Sequence, residues 1–354
     1  MVISKVTSEI RTTLLRGQLW TMLIVLLIGC RGDKWSINPD DVDLGAEFRV
    51  RSFHKDLLTL PDSDTVAVEK LVRVYGEFWA DYSEDVLKLG PFNEPSTVAA
   101  LRGFLNHPST IETFAAIDTT SGSANRIAKF SLELENGFKR FHALMPAEPV
   151  PDVILMPSGF NSSVYPREDF IAVGLDMFIG HEHPILNYLP PEKFPQYRKL
   201  RMHPDLISSN AFRGWMLVNF ADRGYTGAML IEDILYWGKV LWLTDKCMPE
   251  LHDHLLMDWT PGELAWAEAN EESIWIELQP QDVLFEKNGT IYNRWLNEGP
   301  FTRAGAIPQE SPDKLGIWMG WRMIDDYMNK YPSTSIDELF SDTQPTPYLK
   351  TYRP

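Results

Sequence analysis

DFIAVGLDMFIGHEHPILNY, residues Asp169 to Tyr188, decides how the rest of the chain is read. Its first half is rich in Ile, Val, Leu and Phe, with one carboxylate, Asp176, set inside the apolar run. Such a run, bounded by turn residues, reads as a strand. DVILM at Asp152–Met156 has the same character, and PSGFNSSVYPRE lies between the two. The expectation is a pair of antiparallel strands, Asp152 to Met156 and Asp169 to Ile179. No other segment gives a comparable sheet signal. Asp176 poses a question of its own, because a carboxylate inside an apolar strand must be paired or must cap something.

Around this pair the period is helical. Val68, Leu71, Val72, Tyr75, Phe78, Trp79 and Tyr82 share one face of a helix beginning at Val66. Ser96 to Asn106 gives a second helix, and Ser109-Thr110-Ile111-Glu112 reads as a capping box opening a third. Ala124 to Leu144 carries a stripe of Ile127, Phe130, Leu134, Phe138 and Phe141. Further helices are predicted at about 192–200, 205–220, 226–245, 261–279, 290–297, 315–330 and 336–341. Thr260-Pro261-Gly262-Glu263 supplies an N-cap, a proline at the first helical position and a glutamate two residues later. No repeat or interdomain linker interrupts the pattern. The fold class expected is α+β, mostly helical, in a single domain over residues 66–354 with a small antiparallel sheet.

The N-terminus has a different chemistry. Lys5, Arg11 and Arg16 precede the apolar run LWTMLIVLLIG at positions 19 to 29, which ends at Cys30. That run is short for a membrane span and suits the apolar region of a secretory signal. Leu27-Ile28-Gly29-Cys30 fits a bacterial lipobox, so residues 1–29 are expected to be a lipoprotein signal peptide and Cys30 the lipidated residue. Residues 30–65, polar and weakly periodic apart from a possible strand at Phe48 to Phe53, read as anchor and tether. Cleavage at Cys30 would remove three basic residues and one acid, taking the charge from −16 to −18. Cys247 would then be the remaining cysteine, read as structural, with no intramolecular disulfide available. An acidic body of this kind hangs from its lipid and is repelled by anionic membrane surfaces. Without a basic block, nucleic-acid binding is excluded as a partner class.

The second half of the opening stretch, His181-Glu182-His183, invites a metal site. A catalytic zinc needs three protein ligands at one point, and a helix supplies two of them as HExxH. No HExxH occurs here. His181 and His183 are two residues apart before Pro184, and His252 and His254 repeat that spacing at a helix start. The four histidines form a metal site only if the fold brings both pairs together. No GxSxG, phosphate-cradling loop or GxGxxG is present either. No cofactor is expected, and the chain reads as noncatalytic, with a His-based metallopeptidase as the alternative. Twelve tryptophans would also allow glycan binding, but Trp237, Trp242, Trp266, Trp275, Trp318 and Trp321 fall at spacings that serve a core.

Taken in order, the lipobox, IAVGLDMFIG, LIEDILYWGKVLWL, TPGELAWAEANEESIW, GIWMGWRMIDDYM and the closing YLKTYRP resemble the gliding-motility lipoprotein GldB family of Bacteroidetes. That resemblance implies a noncatalytic cell-envelope lipoprotein, lipid-anchored and periplasm-facing. It also implies a part in gliding, association with type IX secretion, and partners among envelope proteins of that machinery. A more distant similarity joins MLIEDILYWGKVLWL to the zincin-type peptidase helix that carries the third metal ligand, with Trp237 where the glutamate would stand. The helix that should hold HExxH offers LISSNAFRGWMLVNF instead. This second resemblance implies a zincin-like fold with its ligands lost, a pseudo-peptidase. The expected partner groove then lies beside the strand Phe170 to Phe178, marked by Asp176, Glu182 and Trp237, with a free edge to which a peptide could add.

Overall fold

Uninterrupted apolar side chains along Phe170–Gly174 require cover on both faces, and the fold provides it by making this strand central. The structure, a computed structural model, describes residues 34–354 apart from 61–64, 92–93 and 224. The expected signal peptide and Cys30 lie outside the described residues. Four strands, β1 (Val50–Arg51), β2 (Asp152–Met156), β3 (Val164–Pro166) and β4 (Phe170–Gly174), form one mixed sheet in the order β1-β2-β4-β3. The chain is thus α+β and mostly helical, as read from the sequence.

The antiparallel pairing expected of the two apolar strands is corrected: β2 and β4 run parallel, with Asp152 opposite Phe170 and Met156 opposite Gly174. The connection between them is too long for a tight hairpin. It holds β3, which takes the antiparallel place beside β4, with Val164 opposite Val173. Every residue of β4 is buried, the usual condition of a parallel strand. The strand also stops earlier than Ile179. At Gly174 a Cβ would lie 2.0 Å from the Ser162 carbonyl oxygen, and Leu175–Phe178 turns into a 3-10 helix.

Part of the segment 30–65, expected to be a tether, is built into the sheet and core. Val50 and Arg51 pair in parallel with Val153 and Ile154, and the compact unit runs from Pro39 to Pro354. Helix α1 (Phe53–Leu58) brings Phe53, fully buried, into the middle of an aromatic cluster. Its ring centroid lies 4.8 Å from Tyr75, 4.9 Å from Phe78 and 4.7 Å from Tyr82. The helical stripe from Val68 to Tyr82 is buried as its period requires, apart from the partly buried Val72, but the helix divides into α2 (Thr65–Tyr75) and α3 (Glu77–Asp81). Gly76, at φ +55°, makes the break.

Helix α4 (Pro95–Leu105) is followed by α5 (Pro108–Thr119) and α6 (Ala124–Leu144). The capping box placed at Ser109 is absent: Pro108 takes the first helical position and His107 is the cap, its ring nitrogen accepting from the Ser109 amide. Through Phe138 and Phe141, α6 packs on Phe212 and Trp215 of α7 (Ile207–Asn219). Helices α8 (Leu230–Cys247) and α9 (Leu315–Lys330) cross with their backbones in close approach. A Cβ on Gly320 would stand 2.0 Å from the Ile234 carbonyl oxygen, and one on Gly238 2.4 Å from Gly320 backbone. Trp242, Trp318 and Trp321 are buried around that crossing, whereas Trp237, Trp266 and Trp275 are half-buried. The predicted 261–279 helix is two, Pro261–Ala269 and Glu271–Leu278, and its capping box between Thr260 and Glu263 is present.

Candidate functional site

Parallel strands gather their following loops at one end, and ligands of α/β sheets bind beyond the carboxyl ends of such strands. Here β2 runs into Pro157–Phe160 and β4 into the segment that ends in the 3-10 helix Pro184–Tyr188. These two segments, together with the facing sides of α4 and α5, enclose a groove of about 980 Å³. Leu89, Phe104, Phe160, Ile185, Tyr188 and Leu189 give it apolar walls. Tyr188 is 81% exposed on its rim. Polar atoms come mainly from the start of α5, where His107, Ser109, Thr110, Glu112 and Thr113 line one side.

Asp176 holds the floor of this groove. The side chain is fully buried, and its two oxygens accept from the Ser158 amide at 2.7 Å, the Ser158 hydroxyl at 3.1 Å and the Phe160 amide. Burial pushes its pKa above the ordinary carboxylate value, and these hydrogen bonds pull against that. Phe160 is thereby kept at φ +56°, a left-handed conformation that is costly without a glycine and persists where several contacts impose it. The Tyr82 hydroxyl donates to the Pro157 carbonyl at 2.9 Å, and Asn161 donates to the Val86 carbonyl at 3.1 Å. The wall formed by Pro157–Phe160 is therefore fixed before anything binds.

The partner groove expected beside Phe170–Phe178 is corrected. Both edges of β4 are hydrogen-bonded within the sheet, to β2 on one side and β3 on the other, so no edge is free to take a peptide. Its three marker residues do not form one site. Asp176 is buried behind the carboxyl-end groove, Glu182 is a 91% exposed side chain on the loop before Pro184, and Trp237 lies half-buried on α8. Nor do the described histidines gather into one metal site. His181 faces His203 at 6.3 Å between ring centroids, while His252 stacks on His254 at 5.7 Å. His183 accepts from the Ile185 amide and so caps the 3-10 helix. Among the described residues, no group of three or more His, Cys, Asp or Glu side chains is placed to hold a metal ion.

Helix α7, where the remote similarity would put HExxH, carries a buried ion cluster. Asn210 donates to Asp258 at 2.7 Å, Arg213 pairs with Asp258 at 2.7 Å, and Lys314 reaches the same carboxylate at 3.2 Å. Burial alone would raise the Asp258 pKa, but Arg213, Lys314 and Arg201 outweigh it and hold it well below the usual carboxylate range. Asp258 and Lys314 both have left-handed backbones, at φ +56° and +55°. Each donor has a protein acceptor, so the cluster is a fastening between α7 and the turn before α9. Cys247 is fully buried, and burial pushes its thiol pKa up, in keeping with a structural role.

The sequence matches the family model for the gliding motility protein GldB over residues 34–354. The chain belongs to the GldB family. No curated protein and no solved structure matches it. Membership places this GldB-family chain in gliding motility, as a membrane-anchored lipoprotein of the cell envelope. No described helix is long and apolar enough to cross a membrane. Sequence reasoning missed the GldB-family chain's groove because its walls come from four separated segments. One signal was available: the glycine in Pro157-Ser158-Gly159-Phe160 directly after a strand allows the tight turn that sets Phe160.

Proposed function

We propose that this protein is a noncatalytic envelope lipoprotein, anchored through Cys30, that acts in gliding and with the type IX secretion machinery by protein–protein contact at the carboxyl-end groove. The observation that carries the reading is the groove itself: a roomy cleft with mainly apolar walls, rimmed by the exposed Tyr188 and rigidly backed by Asp176. A concave space with mostly apolar walls and a few polar groups gathered on one side is the usual form of a binding site. The remote zincin likeness fits the reading as a pseudo-peptidase, with α7 given over to the Asp258 cluster.

A photo-crosslinking residue at Tyr188, in gliding cells, tests the contact against the same residue at Leu132, exposed on α6. The expected result is defined crosslinked products from position 188 that disappear when Gly103→Leu fills the groove. Equal products from both positions, unaffected by Gly103→Leu, would overturn it.

A further inference from the structure

We infer that the groove takes a short extended segment of a partner protein in which aliphatic or aromatic residues are flanked by lysine or arginine. This rests on the reading of the groove as the contact site and adds the chemistry of what fills it. Three observations carry it. The first is shape: Phe104, Phe160, Ile185 and Leu189 wall a space of about 980 Å³, enough for several side chains in a row. Gly103 lies on the groove side of α4, and a Cβ built there would meet nothing within 4 Å, which leaves a notch reaching the helix backbone.

The second is charge. Glu112 is the one carboxylate among the described lining residues, which include no lysine or arginine. Glu182 stands exposed on the segment leading to Pro184, and the whole chain carries −16. That field attracts cationic flanks and repels anionic headgroups, acidic segments and a second copy of this acidic chain. The third is rigidity. With Phe160 fixed by the Asp176 hydrogen bonds, an incoming segment orders little of the wall when it binds, and the association loses less entropy.

The test uses the full chain in neutral phosphatidylcholine nanodiscs and two fluorescent peptides, Lys-Lys-Phe-Leu-Pro-Leu-Lys-Lys and its counterpart with glutamate in place of lysine. Anisotropy should show the lysine peptide binding about tenfold tighter or more at low salt, with the ratio shrinking as salt screens the charges. Glu112→Lys should erase most of that preference, and Gly103→Leu should weaken both peptides. Equal binding of the two peptides overturns the inference. So does saturation by palmitate that Gly103→Leu blocks, which would make the groove a lipid site. Dimerisation abolished by Gly103→Leu would make the occupant a second copy and overturns it too. If neither peptide binds while Gly103→Leu still stops gliding, this inference fails and the groove remains the contact site. If Gly103→Leu cells glide normally, the underlying reading fails with it.

Discussion

At the residue scale, Asp176 shows how one carboxylate can shape a surface it does not reach. It was legible in the sequence as a charge out of place, but the donors that satisfy it, Ser158 and Phe160, could not be read before the loop was seen. Replacing it by alanine strands those buried donors, and the expected loss is about 2–4 kcal/mol in urea unfolding. Asp176→Asn should cost less, since one oxygen still accepts. His54 makes a second prediction. It is fully buried, and burial, partly offset by the Leu155 backbone, lowers its pKa from 6.5 to about 4. Between those values the unfolded chain binds the proton and the folded chain does not, so stability rises from pH 4 to pH 6.5 and is lost on acidification through that window. In His54→Phe the slope of unfolding free energy against pH should flatten there. An unchanged slope would assign the acid sensitivity to other groups.

Among the elements, the helix Ala124–Leu144 and the cap at Thr260 stand where their patterns put them, because each is decided by residues close in sequence. Strand direction is not decided that way. The unbroken apolar runs of β2 and β4, lacking any polar alternation, are what strands buried on both faces require, and that feature points to parallel pairing once it is weighed above the turn-rich connection. Gly76 broke a helix whose stripe ran on undisturbed, since periodicity records burial and not backbone continuity. At the α8–α9 crossing only Gly320 meets α8, while Gly316, one turn earlier, faces Trp295. Gly320→Ala should therefore cost about 3 kcal/mol or prevent folding, because backbone cannot retreat as a side chain can. Gly262→Ala, where the nearest neighbour of a built Cβ is 3.9 Å away, should change thermal unfolding little.

For the whole molecule, the groove depends on the topology: three parallel strands put two loops at one end, and two helices close over them. No single stretch of sequence announces such a site, whereas the histidine pairs that do announce themselves form no metal-holding group among the described residues. Attachment is expected to need Cys30: Cys30→Ser should move the protein to the soluble fraction or leave an unprocessed precursor, read by fractionation and mass, with unchanged mass and membrane retention counting against lipidation. The central claim, that the molecule works by contact at the groove and not by metal chemistry, is tested most directly by gliding speed in cells whose own copy is replaced. One strain carries Gly103→Leu and the other carries His181→Ala, His183→Asn, His252→Ala and His254→Ala together, each at wild-type abundance in the membrane. The account predicts that the groove strain stops and the histidine strain glides; a gliding groove strain beside a motionless histidine strain would contradict it.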